Sequence, residues 1–342
     1  MADFKKRITE FHYGKFSLGL FLLFSLPSFF YYIVINAKNF LYNKKILKEG
    51  KVPTYVICVG NLTTGGVGKT PVVIEIANHL SKNKKVAILS RGYGGKLKKG
   101  AVHLIKDYEK QLIHDVDLIG DEVALISKKT NNCAVIVSTD RFKGGFFAKE
   151  KLNADVVIMD DGFSNRKIYK DYSIILIDEN KLFGNNFCLP LGALREPVSE
   201  LKRGNKILFV NKDGIKNKNL EKIQSKIENY ETANMKNGRI YNIVDFEEIK
   251  EKDILAFSAI GQPEQFYAKL NEFNIKEKVS FDDHYKYSEK DIRELNEKML
   301  KAGAKALVTT EKDMVKLLKF NNINSIYALE LKVEADIDKI LS

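Results

Sequence analysis

Cysteine is scarce in this chain. Cys58, Cys133 and Cys188 are the only three in 342 residues, and they stand far apart. That spacing offers neither a disulfide frame nor a metal-ligand pairing, so buried thiols in a reducing compartment are expected. The chain also lacks internal repeats and any RNA-recognition or helix-turn-helix signature, so no nucleic-acid partner is expected despite a net charge of +12. The positive balance instead favours phosphate or an anionic membrane surface. Charge is missing altogether from Phe16 to Ile35, FSLGLFLLFSLPSFFYYIVI. No small-x-small cleavage site follows this run, which argues against a signal peptide. Its flanks lack charge asymmetry: Lys5, Lys6, Arg7 and Lys15 precede it, and Lys38, Lys44, Lys45 and Lys48 follow it. Symmetric flanks weaken a spanning orientation, although the length suffices for one. Pro27 and the cluster Phe29-Phe30-Tyr31-Tyr32 suit a helix lying in one leaflet, which is the reading we favour. A buried core helix is the third possibility.

What is present is a folded globular composition, 44% apolar and 29% charged, at a length that suits about two domains. The chain is organised around Thr54–Thr70, TYVICVGNLTTGGVGKT. A β-rich apolar run leads into a glycine-rich turn, and a helical pattern follows Pro71. A strand, a glycine loop and a helix N-terminus make a phosphate cradle of backbone N–H groups and helix dipole. Thr63, Thr64, Gly65, Gly66, Val67, Gly68, Lys69 and Thr70 form the expected nucleotide-binding loop. Lys69 can reach the β- and γ-phosphates, and the Thr70 hydroxyl can ligate Mg²⁺. Thr63 stands where the general P-loop formula has glycine.

Further strands alternate with helices as far as residue 210, which predicts a mainly parallel sheet with ligands at its carboxyl edge. Several loops fall on that edge. Lys85–Ser90 runs into Arg91-Gly92-Tyr93-Gly94, placing a cation beside bound phosphate. Gly120-Asp121-Glu122 opens a helix, where helix capping and function are both open readings. Val156–Met159 ends in Asp160-Asp161, the form of a magnesium-holding strand end. The irregular stretch Phe183–Pro197 is a candidate active-site wall. The expected divisions are residues 1–36, a membrane-associated helical segment; 37–205, a P-loop NTPase-type α/β domain; and 206–342, a smaller α/β domain. In the last, Ser288 and Asp291 have capping-box spacing, and Thr310-Glu311-Lys312-Asp313 reads as a helix cap.

Taken together, Gly60-Asn61-Leu62, Gly65–Thr70, Ser90–Gly94, Gly120-Asp121-Glu122, Asp160-Asp161-Gly162-Phe163, Leu189-Pro190, Leu194-Arg195-Glu196-Pro197, Asp283-His284 and Thr310–Asp313 resemble the tetraacyldisaccharide 4′-kinase family. That family's loop also lacks glycine at the position of Thr63. The resemblance implies ATP-dependent phosphorylation of the 4′-hydroxyl of lipid A disaccharide 1-phosphate, with ATP and Mg²⁺ as cofactors. It places the protein at the cytoplasmic face of a bacterial inner membrane, with no obligate protein partner evident. It implies Asp121 as base with His284 orienting it, and Lys69 and Arg141 neutralising the transferring phosphoryl. Thr70, Asp160, Asp161 and Glu196 would hold Mg²⁺, and Arg91 would face phosphate or headgroup. Ser164-Asn165 stands where the family usually has Gln-His. The rival reading is a membrane-associated P-loop ATPase switch or partitioning protein. Such proteins carry Lys before the paired glycines, where this chain has Thr64. Asn211-Lys212-Asp213 has its Asp one place early for guanine recognition.

Overall fold

A computed structural model describes residues 2–241, 248–249, 253–320 and 326–342, with side chains from Arg7 onward. Lys5 and Lys6, counted among the flanking cations, therefore lie outside the described side chains. The strands are β1 (Tyr55–Asn61), β2 (Val86–Ser90), β3 (Val102–Lys106), β4 (Cys133–Ser138), β5 (Val156–Asp160), β6 (Tyr172–Asp178), β7 (Lys206–Asn211), β8 (Tyr230–Tyr241), β9 (Asp253–Ser258), β10 (Asn274–Ser280), β11 (Ala306–Thr310) and β12 (Ile326–Glu334). The helices are α1 (Ala2–His12), α2 (Leu18–Asn43), α3 (Lys69–Leu80), α4 (Val116–Ile119), α5 (Asp121–Lys129), α6 (Arg141–Leu152), α7 (Leu220–Gln224), α8 (Pro263–Ala268), α9 (Glu289–Lys301), α10 (Glu311–Leu317) and α11 (Ile337–Leu341).

Among the described residues the strands form one twelve-stranded sheet, ordered β10-β9-β11-β12-β8-β7-β6-β1-β5-β2-β4-β3. Neighbours run parallel except at the β3–β4 edge and at the β8–β12 junction. The expected α/β fold is present, and its central strands β1, β2, β4, β5, β6 and β7 are buried on both faces, as a helix-covered parallel sheet requires. Alternation splits each strand between two cores. Ile57, Val59, Ile88, Val135 and Ile158 pack with Val72, Val73 and Ile76 of α3. Val56, Cys58, Ala87, Leu89, Ile136 and Met159 pack with Ala148 of α6 and with Phe163. Each fully buried aliphatic side chain contributes about 1.5–3 kcal/mol, so this double layer fixes the strand ends that carry the site. All three cysteines are buried and free, as their isolation in sequence suggested.

The two halves of the sheet are joined by continuous strand pairing. β7, expected to open the smaller unit, pairs in parallel with β6 from Ile174↔Lys206 to Asp178↔Val210. The junction is β8, whose first part pairs with β7 and whose second part pairs antiparallel with β12. A long polar strand bridging two half-sheets has no apolar run of its own to announce it. Helix α2 also continues past residue 36 to Asn43.

Candidate active site

β1 ends at Asn61, and the loop Leu62–Gly68 turns into α3. Gly65 and Gly68 hold left-handed backbone, φ +100° and +93°, which glycine adopts without strain. Thr63 needs no such freedom. It is buried and forms a bridge with Leu194, so a β-branched residue in extended backbone fits where other loops have glycine. The loop is tied from outside at several points. The Thr64 N–H donates to the Ala193 carbonyl at 2.7 Å, and the Arg195 N–H donates to the Leu62 carbonyl at 2.7 Å. The Tyr13 hydroxyl reaches the Thr64 carbonyl at 3.2 Å. Lys212 reaches the Gly66 carbonyl at 2.8 Å while pairing with Asp178 at 2.5 Å. The Lys of the failed guanine motif thus has a structural task that its sequence context did not reveal.

Lys69 lies at the loop's exit. Its Nζ is 3.0 Å from Asn61 Oδ1 and 3.7 Å from Asp161 Oδ1. Burial lowers its pKa, with nearby Arg195 adding to the effect against the opposing charge of Asp161. Arg195 grips Asp161 with both branches, at 3.0 and 2.9 Å, and also donates to Asn61. Burial works to raise the Asp161 pKa, but the Arg195 bond and the charges of Lys69, Arg195 and Arg141 hold it below the usual range. Asp160 behaves oppositely. Burial, and then the nearby Glu122, push it up to about 6, and its Oδ1 is buried without a hydrogen-bond partner. That orphaned oxygen, the neighbouring Asp161 carboxylate and the Thr70 hydroxyl at the start of α3 are the hard oxygen donors that Mg²⁺ takes along with waters and substrate phosphates. Among the described residues there is no cluster of three or more His, Cys, Asp or Glu that would cage a metal by itself.

Two residues expected at the chemistry are placed elsewhere. Arg141 is buried, and its guanidinium donates to the carbonyls of Leu89 at 3.1 Å, Ser138 at 3.4 Å and Asp160 at 2.9 Å. It braces the ends of β2, β4 and β5 from beneath. As the first residue of α6 it sits on the right edge, but its side chain turns into the sheet. Glu196 is fully buried, and its carboxylate is taken up by Lys38 at 3.2 Å, Asn39 at 2.7 Å and Arg203 at 3.4 Å. It fastens α2 to the loop wall and does not face the phosphate loop with a spare oxygen. Arg91 stands exposed at the end of β2.

Across the cleft, α5 begins at Asp121. Its Oδ1 accepts the Glu122 N–H at 2.9 Å, and its Oδ2 lies 2.9 Å from His284 Nδ1. Gly120 is the N-cap and makes no side-chain cap, so Asp121 and Glu122 serve the helix start as first-turn acidic residues, while Asp121 also faces His284. His284 holds left-handed backbone at φ +60°, with its N–H on the Ala259 carbonyl at 3.1 Å. Next to this pair, Lys312 meets Glu122 at 2.5 Å. Burial opposes the charge on Lys312, yet Glu122, Asp121 and Asp160 raise its pKa overall. Sequence reasoning missed this pair, because Thr310 does cap α10 by accepting the Asp313 N–H at 3.1 Å and so accounts for the motif. Capping explains positions 310 and 313, however, and leaves Lys312 unexplained.

The Asp121–His284 contact titrates with a definite sign. Burial works to raise the Asp121 pKa, but the His284 bond and the charges of His284, Lys312 and Lys316 bring it below 3.8. His284 is raised above 6.5, first by the bond to Asp121. A lowered carboxylate contributes stability above its unfolded pKa that is lost as pH falls through the folded value. A raised imidazole contributes below its unfolded pKa and loses that as pH rises through the folded value. The pair is therefore fully effective between pH 3.8 and 6.5. His284→Gln should lower the thermal unfolding midpoint most within that window and progressively less above it. A deficit that grows toward alkaline pH would contradict the pairing.

Residues 20–342 match the family model described as tetraacyldisaccharide-1-P 4′-kinase. The curated tetraacyldisaccharide 4′-kinase of Aquifex aeolicus is 35% identical over 323 residues, covering 90% of this chain and 93% of that one. That of Geobacter metallireducens is 33% identical over 345 residues, covering 95% and 98%. Among solved structures, LpxK from Aquifex aeolicus in complex with ATP superimposes with a TM-score of 0.74 at 34% identity, over 92% of this chain and 95% of that one.

Proposed function

The chain belongs to the tetraacyldisaccharide 4′-kinase family, and from that premise we propose how its own residues carry out the reaction. The protein is a kinase that uses ATP to phosphorylate the 4′-hydroxyl of the lipid A disaccharide 1-phosphate. The switch or partitioning alternative is not favoured. A sugar hydroxyl becomes a competent nucleophile only when its proton has an acceptor. Asp121 takes that proton, and the imidazole of His284 fixes the carboxylate's orientation. The observation that carries this assignment is their 2.9 Å contact, which spans from α5 of the phosphate-loop half to the smaller half. Lys69 leaves Asn61 and Asp161 for the β- and γ-phosphates. Arg195 then keeps Asp161 in place, and Arg141 holds the strand ends level beneath the site. Thr70, Asp160 and Asp161 would hold Mg²⁺, which when bound offsets charge on the phosphate oxygens. Glu122 and Lys312 flank the proton acceptor as a fixed charge pair. The test is transfer of labelled γ-phosphate from ATP to the disaccharide 1-phosphate in detergent micelles. Absence of labelled lipid with the wild-type protein would remove the reading.

The same logic extends to the membrane. One side of α2 is fastened to the body through Ser28 to the Cys188 carbonyl at 2.7 Å, Tyr31 to the Arg195 carbonyl at 2.9 Å, and Asn39 to Glu196 at 2.7 Å. The opposite side exposes Leu22, Leu23, Leu26, Phe29, Phe30 and Val34. A helix docked over this much of its length supports an in-plane position better than a span, with its apolar side in the leaflet and the flanking lysines at anionic headgroups. The use of ATP favours the cytoplasmic leaflet. Replacing Leu26 and Phe30 together by Ser should weaken binding to phosphatidylglycerol vesicles by about 10²- to 10⁴-fold, since two buried apolar side chains together contribute about 3–6 kcal/mol. Unchanged flotation of the double variant with vesicles would place the contact elsewhere.

A further inference from the structure

Far from the phosphate loop, the last turn of α5 ends in a second charge cluster. Lys129 Nζ lies 2.7 Å from Glu311 Oε1 and 2.8 Å from Glu330 Oε1. The Tyr241 hydroxyl also donates to Glu311 Oε1 at 2.8 Å, and the Leu331 N–H reaches Glu311 Oε2 at 3.3 Å. The Arg239 guanidinium stands 3.7 Å from Glu330 Oε2 and stacks 4.6 Å above the Tyr241 ring. Side-chain exposure is 18% at Lys129, 9% at Glu311 and 11% at Glu330. Lys129 is on the phosphate-loop half; Glu311, Glu330, Tyr241 and Arg239 are on α10, β12 and β8. The same short helix therefore bridges the two halves at both ends. At its first residue Asp121 meets His284, and at its last Lys129 meets two carboxylates.

We propose that Lys129 is a positioning residue for phosphoryl transfer: its seat between Glu311 and Glu330 sets the tilt of α5 and so brings Asp121 to His284. The proposal rests on the reading of Asp121 as proton acceptor. Eight residues at 1.5 Å rise separate the two ends by about 12 Å, within one rigid helix. Removing Lys129 leaves two largely buried carboxylates without the cation between them, Glu330 keeping, among the described residues, only the more distant Arg239 and Lys332, and such an under-compensated pair tends to separate or take up water. Either response shifts the helix end, and a displacement of about 1 Å at the reacting groups can cost on the order of 100-fold in rate. Among the described residues, Glu122 with Lys312 at 2.5 Å also joins α5 to the smaller half, near its first turn, while Asp117 with Lys319 at 3.0 Å is much more exposed and holds little by comparison.

The test uses the full chain in the labelled-phosphate assay. Lys129→Met should lower kcat by about tenfold with the KM for ATP within about twofold, and Lys129→Arg should restore most of the rate. In a double-mutant cycle, Lys129→Met should add almost nothing to His284→Ala, because the contact it supports is already gone. Unchanged kcat in Lys129→Met, or a loss that adds in full to that of His284→Ala, would overturn the proposal. Should Lys129→Met fail to fold, Glu330→Gln should show a smaller loss of the same kind, and full activity there would overturn it equally. Asp121→Asn in the same assay keeps the two readings apart. Full activity of that variant removes the proton-acceptor assignment, whereas its loss beside an unaffected Lys129→Met removes only the positioning role.

Discussion

Asp121→Asn should lower kcat by about 10²- to 10⁴-fold while ATP still binds, the span general-base removal commonly covers. The asparagine keeps the size of the side chain and can still accept from His284 Nδ1, so the helix start and the contact between the halves survive. What is lost is the basic oxygen. The native carboxylate is suited to remain ionised, since His284 and Lys312 overcome the effect of burial and hold its pKa down. A lowered pKa makes Asp121 a weaker base, since the carboxyl is neutral once it has taken the proton and its attraction to His284 is reduced. His284 therefore has two effects, lowering basicity and fixing direction, and direction dominates when the hydroxyl is already placed. The measurements are single-turnover transfer and nucleotide titration on the same preparation. A kcat within about threefold of wild type would show that the proton leaves by another route.

Lys69→Met should cost about 10²- to 10³-fold in kcat, the range seen when one preorganised charge is removed from a transition state. The variant should fold, because Arg195 continues to hold Asp161 with two bonds. The cation is partly buried and lies 3.0 Å from a neutral amide oxygen, Asn61 Oδ1, a partner it can give up at small cost when phosphate arrives. Lys69→Arg should not rescue the rate. A planar fork cannot replace a compact ammonium in that space, and Arg195 already occupies the adjoining one. Recovery of wild-type turnover by the arginine variant would mean that charge alone, not its position, matters at this residue.

The sequence made the local features legible, and the long-range ones were hidden. A strand, a glycine turn and Lys69-Thr70 announce the loop, because a phosphate cradle is built from consecutive residues. The Ser288 and Thr310 caps follow fixed spacings and are present as expected. Asp121 and His284 were paired only through the family resemblance, since nothing within either stretch points across the cleft. Arg141 and Glu196 sit on the expected edge, but the direction of a side chain depends on what packs against it. For Arg141 this is a set of strand-end carbonyls, and for Glu196 it is residues of α2 contributed from far away in the chain. Lys312 was masked by a motif that had a sufficient local explanation. β8 was not legible as a strand, because it is polar and its two partners are supplied by different halves.

One contact joins that bridging strand to the loop at the heart of the site. A Cβ on Gly68 would lie 2.2 Å from Met235 Cε, a side chain of β8. The glycine is therefore clearance as well as turn. β8 is hydrogen-bonded to both half-sheets, so the residue that packs beneath the nucleotide loop belongs to the seam between the halves. Any side chain larger than hydrogen at position 68 would therefore press on that seam as well as on the loop.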